Sequence, residues 1–352
     1  LSPNRWRAVV RGTARDPAAA VLRRLLWAAR LPYGVGVWWR NRRFDRGHDV
    51  HRARVPVISI GNLTVGGTGK TPCVEYVARL LREHDYRVAV LSRGYGTEAG
   101  RNDEAMVLEE NLPDVPHYQG RDRVELARTA VEESESEVLV LDDGFQHRRL
   151  ARDLDVVLVD ATDPWGGNYL LPRGGLREPK RNLRRAGFVV LTRCDAAGAD
   201  IVRGIEDEIR TLVPGAPVAK TIHAPLELLS GSAREGTEAL RGRRVGAFCG
   251  IGNPDAFRAT LTSLGADVRD FRSYPDHHPY TRADVDDLRA WAIGLPADAW
   301  VVTTQKDWVK LRITDLGGRP LWAVRVGLQF VEGGAEFNVA VLNAAGVDFH
   351  RQ

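Results

Sequence analysis

The stretch "GNLTVGGTGKTP", Gly61 to Pro72, places Gly66, Gly67, Gly69, Lys70 and Thr71 in the spacing of a phosphate-holding loop. Gly66, Gly67 and Gly69 let the backbone turn tightly and aim N–H groups at an anion, and a helix start near Thr71 adds partial positive charge. In the pattern GxxxxGK[ST], Lys70 reaches the β- and γ-phosphates of a nucleotide and Thr71 ligates Mg²⁺. The strict pattern asks for glycine at position 64, where this chain has Thr64. A Gly-rich turn without a ligand is the alternative; the apolar run before the loop and the helical pattern after it favour phosphate.

Three other clusters could carry chemistry. In "EVLVLDDGFQH" a buried strand delivers Asp142 and Asp143 at its carboxyl end, where a carboxylate holds Mg²⁺ directly or through water. An Asp after a strand is otherwise a turn former or helix cap. "LSRGYG" and the polar loop expected beyond it, with "NDEA", put Arg93, Tyr95 and Asp103 at the end of a neighbouring strand. There Arg93 could neutralise a phosphate and Asp103 accept a proton, although each alone also reads as a solvated loop charge. "YPDHHPY" clusters Asp276, His277 and His278 without HExxH spacing or a cysteine pair, which leaves a metal site unsupported. A histidine that orients a carboxylate is equally open.

The elements that must position these residues follow a regular rhythm beyond residue 54. "VPVISIGN", "RVAVLSRG", "EVLVLDDG" and "LDVVLVDA" read as strands, and "TPCVEYVARLLREH" and "RVELARTAVEES" as helices. Continuous β-branched runs between helices imply an α/β fold, a parallel sheet covered on both faces. A second set, "FVVLTRC" through "LWAVRVGLQF", alternates with helical stretches such as "NPDAFRATLTSLG" and "TRADVDDLRAWAIG". The Gly/Pro-rich "LLPRGGL" and the charged "REPKRNLRRAG" suggest a boundary near residue 185. Two domains are expected: 1–185 with the phosphate loop, and a smaller α/β domain over 186–352 that closes over the cleft.

At 352 residues, 43% hydrophobic and 27% charged, the chain is globular rather than disordered. Its three cysteines, Cys73, Cys194 and Cys249, form no CxxC pair, so a reducing compartment is expected and neither a disulfide framework nor a thiolate zinc site is suggested. No charge-free apolar run is long enough to span a bilayer, and no signal-peptide core is present.

The net charge of +4 is unevenly distributed: residues 1–54 hold thirteen Arg, no Lys and three Asp, or +10. Within them Ala18, Val21, Leu22, Leu25, Leu26 and Ala29 share one helix face, and Trp38 and Trp39 stand beside Arg40, Arg42 and Arg43. Such a segment, about 17–43, reads either as an interfacial anchor on an anionic membrane or as a helix packed on the protein's own core. Nucleic acid is disfavoured, because no binding motif accompanies the charge.

Taken in order, "GNLTVGGTGKTP", "LSRGYG", "NDEA", "VLDDGFQH", "LLPRGGLREP", "FCGIGNP", "DHH" and "TTQKDWVKL" resemble the tetraacyldisaccharide 4'-kinase family of lipid A biosynthesis. The resemblance implies transfer of the ATP γ-phosphoryl group to the 4'-hydroxyl of an acylated glucosamine disaccharide 1-phosphate, with ATP and Mg²⁺ as cofactors. It also implies a peripheral position on the cytoplasmic face of the inner membrane, through the amino-terminal helix. No nucleic acid and no obligate protein partner are implied.

Position by position, the family pattern makes the loop residues Thr64, Val65, Gly66, Gly67, Thr68, Gly69, Lys70 and Thr71 the nucleotide cradle. Thr64 becomes a family variant of the missing glycine. Asp103 resembles the catalytic carboxylate and His277 its partner, with His278 the less favoured match. Asp142, Asp143, Gln146 and His147 would face nucleotide and metal, with Thr71, Asp142, Gln146 and Glu178 around Mg²⁺. Arg93 or Arg177 would stabilise the transferring phosphoryl group. Arg121 and Arg123 could bind the 1-phosphate, although a charged helix start is preferred. A P-loop GTPase switch, faintly supported by "LTRCD" and "TTQKD", and an ATP-dependent carboxylate ligase are the competing readings.

Overall fold

The computed structural model describes residues 9, 12–14, 16–94 and 103–346. In chain order the elements are α1 (Pro17–Asp45), β1 (Val57–Asn62), α2 (Lys70–Glu83), β2 (Val88–Ser92), α3 (Asp103–Asn111), β3 (His117–Gln119), α4 (Arg123–Ser134), β4 (Val138–Asp142) and β5 (Leu154–Asp160). There follow β6 (Phe188–Thr192), α5 (Ala199–Leu212), β7 (Val218–Ser230), β8 (Ala233–Gly236), β9 (Arg244–Cys249), α6 (Pro254–Ser263) and β10 (Asp267–Ser273). The last are α7 (Arg282–Ile293), β11 (Trp300–Thr304), α8 (Gln305–Leu311), β12 (Asp315–Leu316), β13 (Arg319–Glu332) and α9 (Gly334–Ala344).

Two compact units share this chain: residues 1–93, 114–222 and 328–352 form unit 1, and residues 94–113 and 223–327 form unit 2. The boundary expected near residue 185 is therefore corrected. The strand after it, β6, pairs in parallel with β5 from Val156↔Phe188 to Asp160↔Thr192, and β7 begins by pairing with β6, so both extend the first unit's sheet. The Gly/Pro passage marks a loop within unit 1 because the ladder, not the composition, decides which residues share a core.

In unit 1 the strand order is β7-β6-β5-β1-β4-β2-β3, every pair parallel. The central strands are buried throughout, which explains their unbroken runs of Val, Ile and Leu. Parallel order brings all carboxyl ends to one edge, so the loops after β1, β4 and β2 emerge on the same side. On one face Val157, Val159, Val189 and Leu191 pack against Val202, Ile205 and Ile209 of α5. Unit 2 repeats the plan on a smaller scale, in the order β10-β9-β11-β13, with Phe248, Val301 and Leu321 packed against Leu288, Trp291 and Ala292 of α7.

α1 is 29 residues long, starts on the Asp16 side chain as a cap for the Ala19 amide, and contains Pro32. One side is tied to unit 1: Tyr33 Oη donates to the Arg177 carbonyl at 2.9 Å, and Arg40 and Asn41 bond Glu178 at 2.8 and 3.0 Å. The other side leaves Val21, Leu25, Trp27, Leu31, Val35, Trp38 and Trp39 exposed, half of all the large apolar side chains exposed among the described residues. Arg30, Arg42 and Arg43 lie over the Trp27, Trp38 and Trp39 rings at 4.6, 5.5 and 5.2 Å. No described helix is long and apolar enough to cross a membrane.

The segment after β4 turns back tightly onto β1. A Cβ on Gly61 would stand 2.6 Å from both Cβ and the backbone N of Phe145, and one on Gly144 would stand 2.6 Å from Ser59 Oγ. Gly61→Ala is expected to cost about 1–3 kcal/mol, the usual scale of overpacking, read as a lower urea midpoint with unchanged slope. An unshifted midpoint would contradict this packing.

Candidate active site

The loop after β1 is a cradle with left-handed backbone at Gly66 (φ 119°) and Gly69 (φ 88°), the second immediately before α2. L-residues with a Cβ rarely adopt these angles, which is why glycine stands there. Thr64 needs no such freedom. It is buried, lies outside the left-handed region, and bridges antiparallel to Leu176. The "LLPRGGL" segment props the loop further: Val65 N donates to Gly175 O and Arg177 N to Leu63 O, both at 2.8 Å. Thr192 Oγ1 from the end of β6 holds the Thr68 carbonyl at 2.9 Å. The Thr68 hydroxyl is buried without a hydrogen-bond partner among the described residues, an unmet group of the kind a phosphate oxygen satisfies.

Lys70 begins α2 and its ammonium lies 3.5 Å from Asp143 Oδ1 and 3.4 Å from Asn62 Oδ1. Arg177 Nη1 donates to both Asp143 oxygens at 2.8 Å and to Gln146 Oε1 at 3.2 Å. Gln146 Nε2 donates to the Asn62 carbonyl at 2.9 Å, and Asn62 Nδ2 to the Thr64 carbonyl at 2.8 Å. These bonds close a ring that presents two cations at the mouth of the loop. Burial works to raise the Asp143 carboxyl, but Lys70 and Arg177 outweigh it and hold it below the usual carboxylate range. Asp143 takes up this position through a left-handed backbone of its own, φ 50°.

Asp142 ends β4 in register with Ile60 of β1, and with the buried Thr71 it supplies the hard oxygen donors that suit Mg²⁺. The Cys73 thiol, one turn into α2, is pushed up by burial and further by Asp142, which places that carboxylate near the first turn of the helix. Gln146 and Glu178 do not fit the metal role expected of them. The Gln146 amide is spent on Asn62 and Arg177. Glu178 is fully buried and turned to α1, its carboxylate met by Arg40, Asn41, Asn182 and Arg185 at 2.7–3.0 Å. Among the described residues no group of three His, Cys, Asp or Glu side chains converges as a metal site.

His147 sits among Arg123, Arg152, Arg149 and Asp122, and burial first, then those guanidinium groups, push its pKa down to about 4. Asp122 caps α4 by accepting from the Val124 and Glu125 amides, and Arg123 is itself buried, which leaves the helix-start reading of "GRDRVELA" the supported one. Arg93 is exposed directly after β2, while Tyr95 lies outside the described residues.

In unit 2, Asp103 opens a helix rather than lying in the expected loop. His277 Nδ1 lies 2.9 Å from Asp103 Oδ2, and Lys310 Nζ stands 3.4 Å from the same oxygen and 3.1 Å from Asp307 Oδ1. His277 reaches this position through left-handed backbone, φ 59°, with its amide on the Gly250 carbonyl. His278 points elsewhere: it stacks on Tyr274 at 4.8 Å and lies 3.1 Å from Asp284. Sequence reasoning missed Asn62 and Lys310, although both stand inside quoted motifs.

The family model described as tetraacyldisaccharide-1-P 4'-kinase matches residues 22–345. A tetraacyldisaccharide 4'-kinase of Anaeromyxobacter dehalogenans is 44% identical over 90% of this chain and 89% of its own length. One from Syntrophus aciditrophicus is 42% identical, covering 82% of this chain and 84% of that protein. Among solved structures, the LpxK of Aquifex aeolicus in complex with ATP superposes with a TM-score of 0.74 at 32% identity, over 92% of this chain and 99% of that one.

Because the folded state holds His147 near 4 while its ordinary value is 6.5, the unfolded chain binds the extra proton between these values. Stability from this site is complete above about pH 6.5 and is lost as pH falls towards 4. His147→Asn is expected to flatten the change in urea midpoint between pH 7 and pH 5; an equally steep profile would contradict the assignment.

Proposed function

This chain belongs to the tetraacyldisaccharide-1-P 4'-kinase family, and on that premise we propose that it transfers the γ-phosphoryl group of ATP to the 4'-hydroxyl of a tetraacylated glucosamine disaccharide 1-phosphate, forming lipid IVA in lipid A biosynthesis. The observation that carries the reading is the ring in which Asp143 holds Lys70 and Arg177 at the mouth of the glycine cradle. Phosphoryl transfer asks for positioning and charge stabilisation more than for covalent chemistry. Two cations fixed before the substrate arrives supply that.

In the reaction a bond forms between the 4'-oxygen and the γ-phosphorus while the bond to the β–γ bridging oxygen breaks, and ADP leaves. Lys70 and Arg177 would bind the equatorial oxygens as charge spreads over them, with the amides of Gly66 to Gly69 on the phosphates behind. Thr71 and Asp142 would hold Mg²⁺, which would supply charge neutralisation for the nucleotide's phosphates. Arg93 is a further candidate for the γ-phosphate. Asp103 would take the proton of the 4'-hydroxyl, with His277 orienting its carboxylate. A carboxylate is a weak base towards an alcohol, so the proton would move late, when the hydroxyl is already acidic.

The exposed Trp and Leu side of α1, with Arg beside its rings, supports a peripheral seat on an anionic bilayer, which the reading places at the cytoplasmic face of the inner membrane. Each Arg near such a surface contributes about 1 kcal/mol.

Lys70→Ala is expected to lower kcat by on the order of a hundredfold or more with the thermal midpoint retained; unchanged turnover would remove the loop from the mechanism. For the acid–base pair, Asp103→Asn with His277→Ala should cost much less than the sum of the single free-energy losses, and additive losses would show uncoupled residues. Replacing Leu25, Leu31 and Trp39 together by Ser should shift the protein from the membrane to the supernatant fraction without lowering the urea midpoint. An unchanged distribution would return α1 to a packing role.

A further inference from the structure

Asp307 lies wholly buried in unit 2, in the first turn of α8. Its Oδ2 accepts from the Gly250 amide at 2.9 Å and from the Thr304 hydroxyl at 2.6 Å, while its Oδ1 lies 3.1 Å from Lys310 Nζ one turn along the helix. A Cβ on Gly250 would stand 3.1 Å from that Oδ1 and 3.2 Å from Tyr280 Oη, so the backbone closes tightly on the carboxylate. A carboxylate out of water persists only where its charge and lone pairs are met. Here one cation meets the charge.

An ion pair within one helix needs no third member, yet Lys310 serves a second carboxylate. Its side chain is 10% exposed, and its ammonium lies 5.3 Å from the centre of the Tyr280 ring and 3.4 Å from Asp103 Oδ2 of α3. His277 Nδ1 meets that same oxygen at 2.9 Å. Among the described residues no hydrogen bond or ion pair reaches Asp103 Oδ1. α3 is fixed on α8 along its length as well. Asn111 and Gln305, both buried, exchange amide bonds at 3.3 and 2.6 Å, Glu104 lies 3.6 Å from Lys306, and Val107 shares a core with Trp308 and Val309.

These contacts close into a ring. Asp103 meets Lys310, Lys310 meets Asp307, and Asp307 holds the Gly250 amide. The Gly250 carbonyl accepts from the His277 amide at 3.1 Å, and the His277 side chain returns to Asp103. We infer that Asp307 and Lys310 are positioning residues for the acid–base pair, and this rests on the kinase reading above. Asp307 sets both Lys310 and the backbone of His277. Lys310 and His277 then pin one oxygen of Asp103 from two sides, which leaves Oδ1 as the oxygen that takes the hydroxyl proton. A carboxylate free to rotate presents that oxygen productively only part of the time, whereas a clamped one is preorganised.

The test uses the full chain with Lys310→Met, which keeps the length of the side chain and removes its charge, and Lys310→Arg as the conservative variant. With ATP and the detergent-dispersed disaccharide lipid, Lys310→Met is expected to lower kcat by about tenfold or more while KM for ATP and for the lipid stay within about twofold, and Lys310→Arg to regain part of the loss. In an Asp103→Asn background the same Lys310→Met change should cost about twofold or less, because its effect passes through Asp103. An unchanged kcat, a loss carried by KM, or an undiminished loss in the Asp103→Asn background overturns the proposal. So does a lower urea midpoint with kcat per folded molecule retained, which would make Lys310 structural only. The ring nitrogen signals of His277, measured by NMR without ATP or lipid and identified by their loss in His277→Ala, decide the geometry independently of turnover. They should move in Lys310→Met and return towards the parent position in Lys310→Arg. Unmoved signals reject the clamp, whereas moved signals with no phosphoryl group entering the lipid would uphold the clamp and fail the kinase reading.

Discussion

A carboxylate with no access to solvent must be matched by its surroundings, and Glu178 is matched by four side chains: Arg40 and Asn41 of α1, and Asn182 and Arg185 of the turn that follows. Leaving such a charge unpaired costs several kcal/mol, so its partners are not free to drift. The consequence reaches beyond α1. Arg177, the residue before it, is fixed by the same anchoring and is held through its amide on Leu63. Its guanidinium then fixes Asp143, and Asp143 fixes Lys70. One buried charge therefore connects the apolar side of α1 to the position of Lys70 at the glycine cradle.

That chain of contacts explains why a helix of 29 residues with most of its apolar side chains in solvent is nonetheless well placed. Burial of apolar surface would normally position a helix; here polar and ionic bonds to residues 177, 178 and 148 do so on one side. The apolar side is left available for another phase. Such an arrangement would suit a protein that acts on an amphiphile, because the helix with the exposed apolar side is bonded to the segment that carries Arg177.

Much of this was legible in the sequence. The strands of unit 1 were visible as unbroken Val, Ile and Leu runs because both faces of a parallel sheet are covered, and the loop from Gly61 to Thr71 was visible because left-handed turns at Gly66 and Gly69 demand glycine. Thr64 was a false alarm: its backbone is extended enough for any residue, and its bridge to Leu176 is a contact that no local pattern encodes. The unit boundary was misread near residue 185 because Gly and Pro signal a loop, whereas the units exchange after residues 93, 113, 222 and 327, the last two inside the long strands β7 and β13, which run on through Pro225 and Gly327. Glu178 was misread as a metal ligand for a related reason. Two of its four partners lie more than a hundred residues away in α1, and adjacency to Arg177 suggested a shared target where the two side chains diverge. The choice between His277 and His278 needed the left-handed backbone at His277, which sequence does not reveal.

Whether the cations at the glycine cradle move a phosphoryl group onto a lipid sugar is decided by following the label of γ-labelled ATP in the presence of the detergent-dispersed disaccharide lipid. The label is predicted to enter the lipid as a stable phosphate monoester, in amounts that match the ADP formed. Recovery of all label as free phosphate, with the lipid unlabelled, would contradict it.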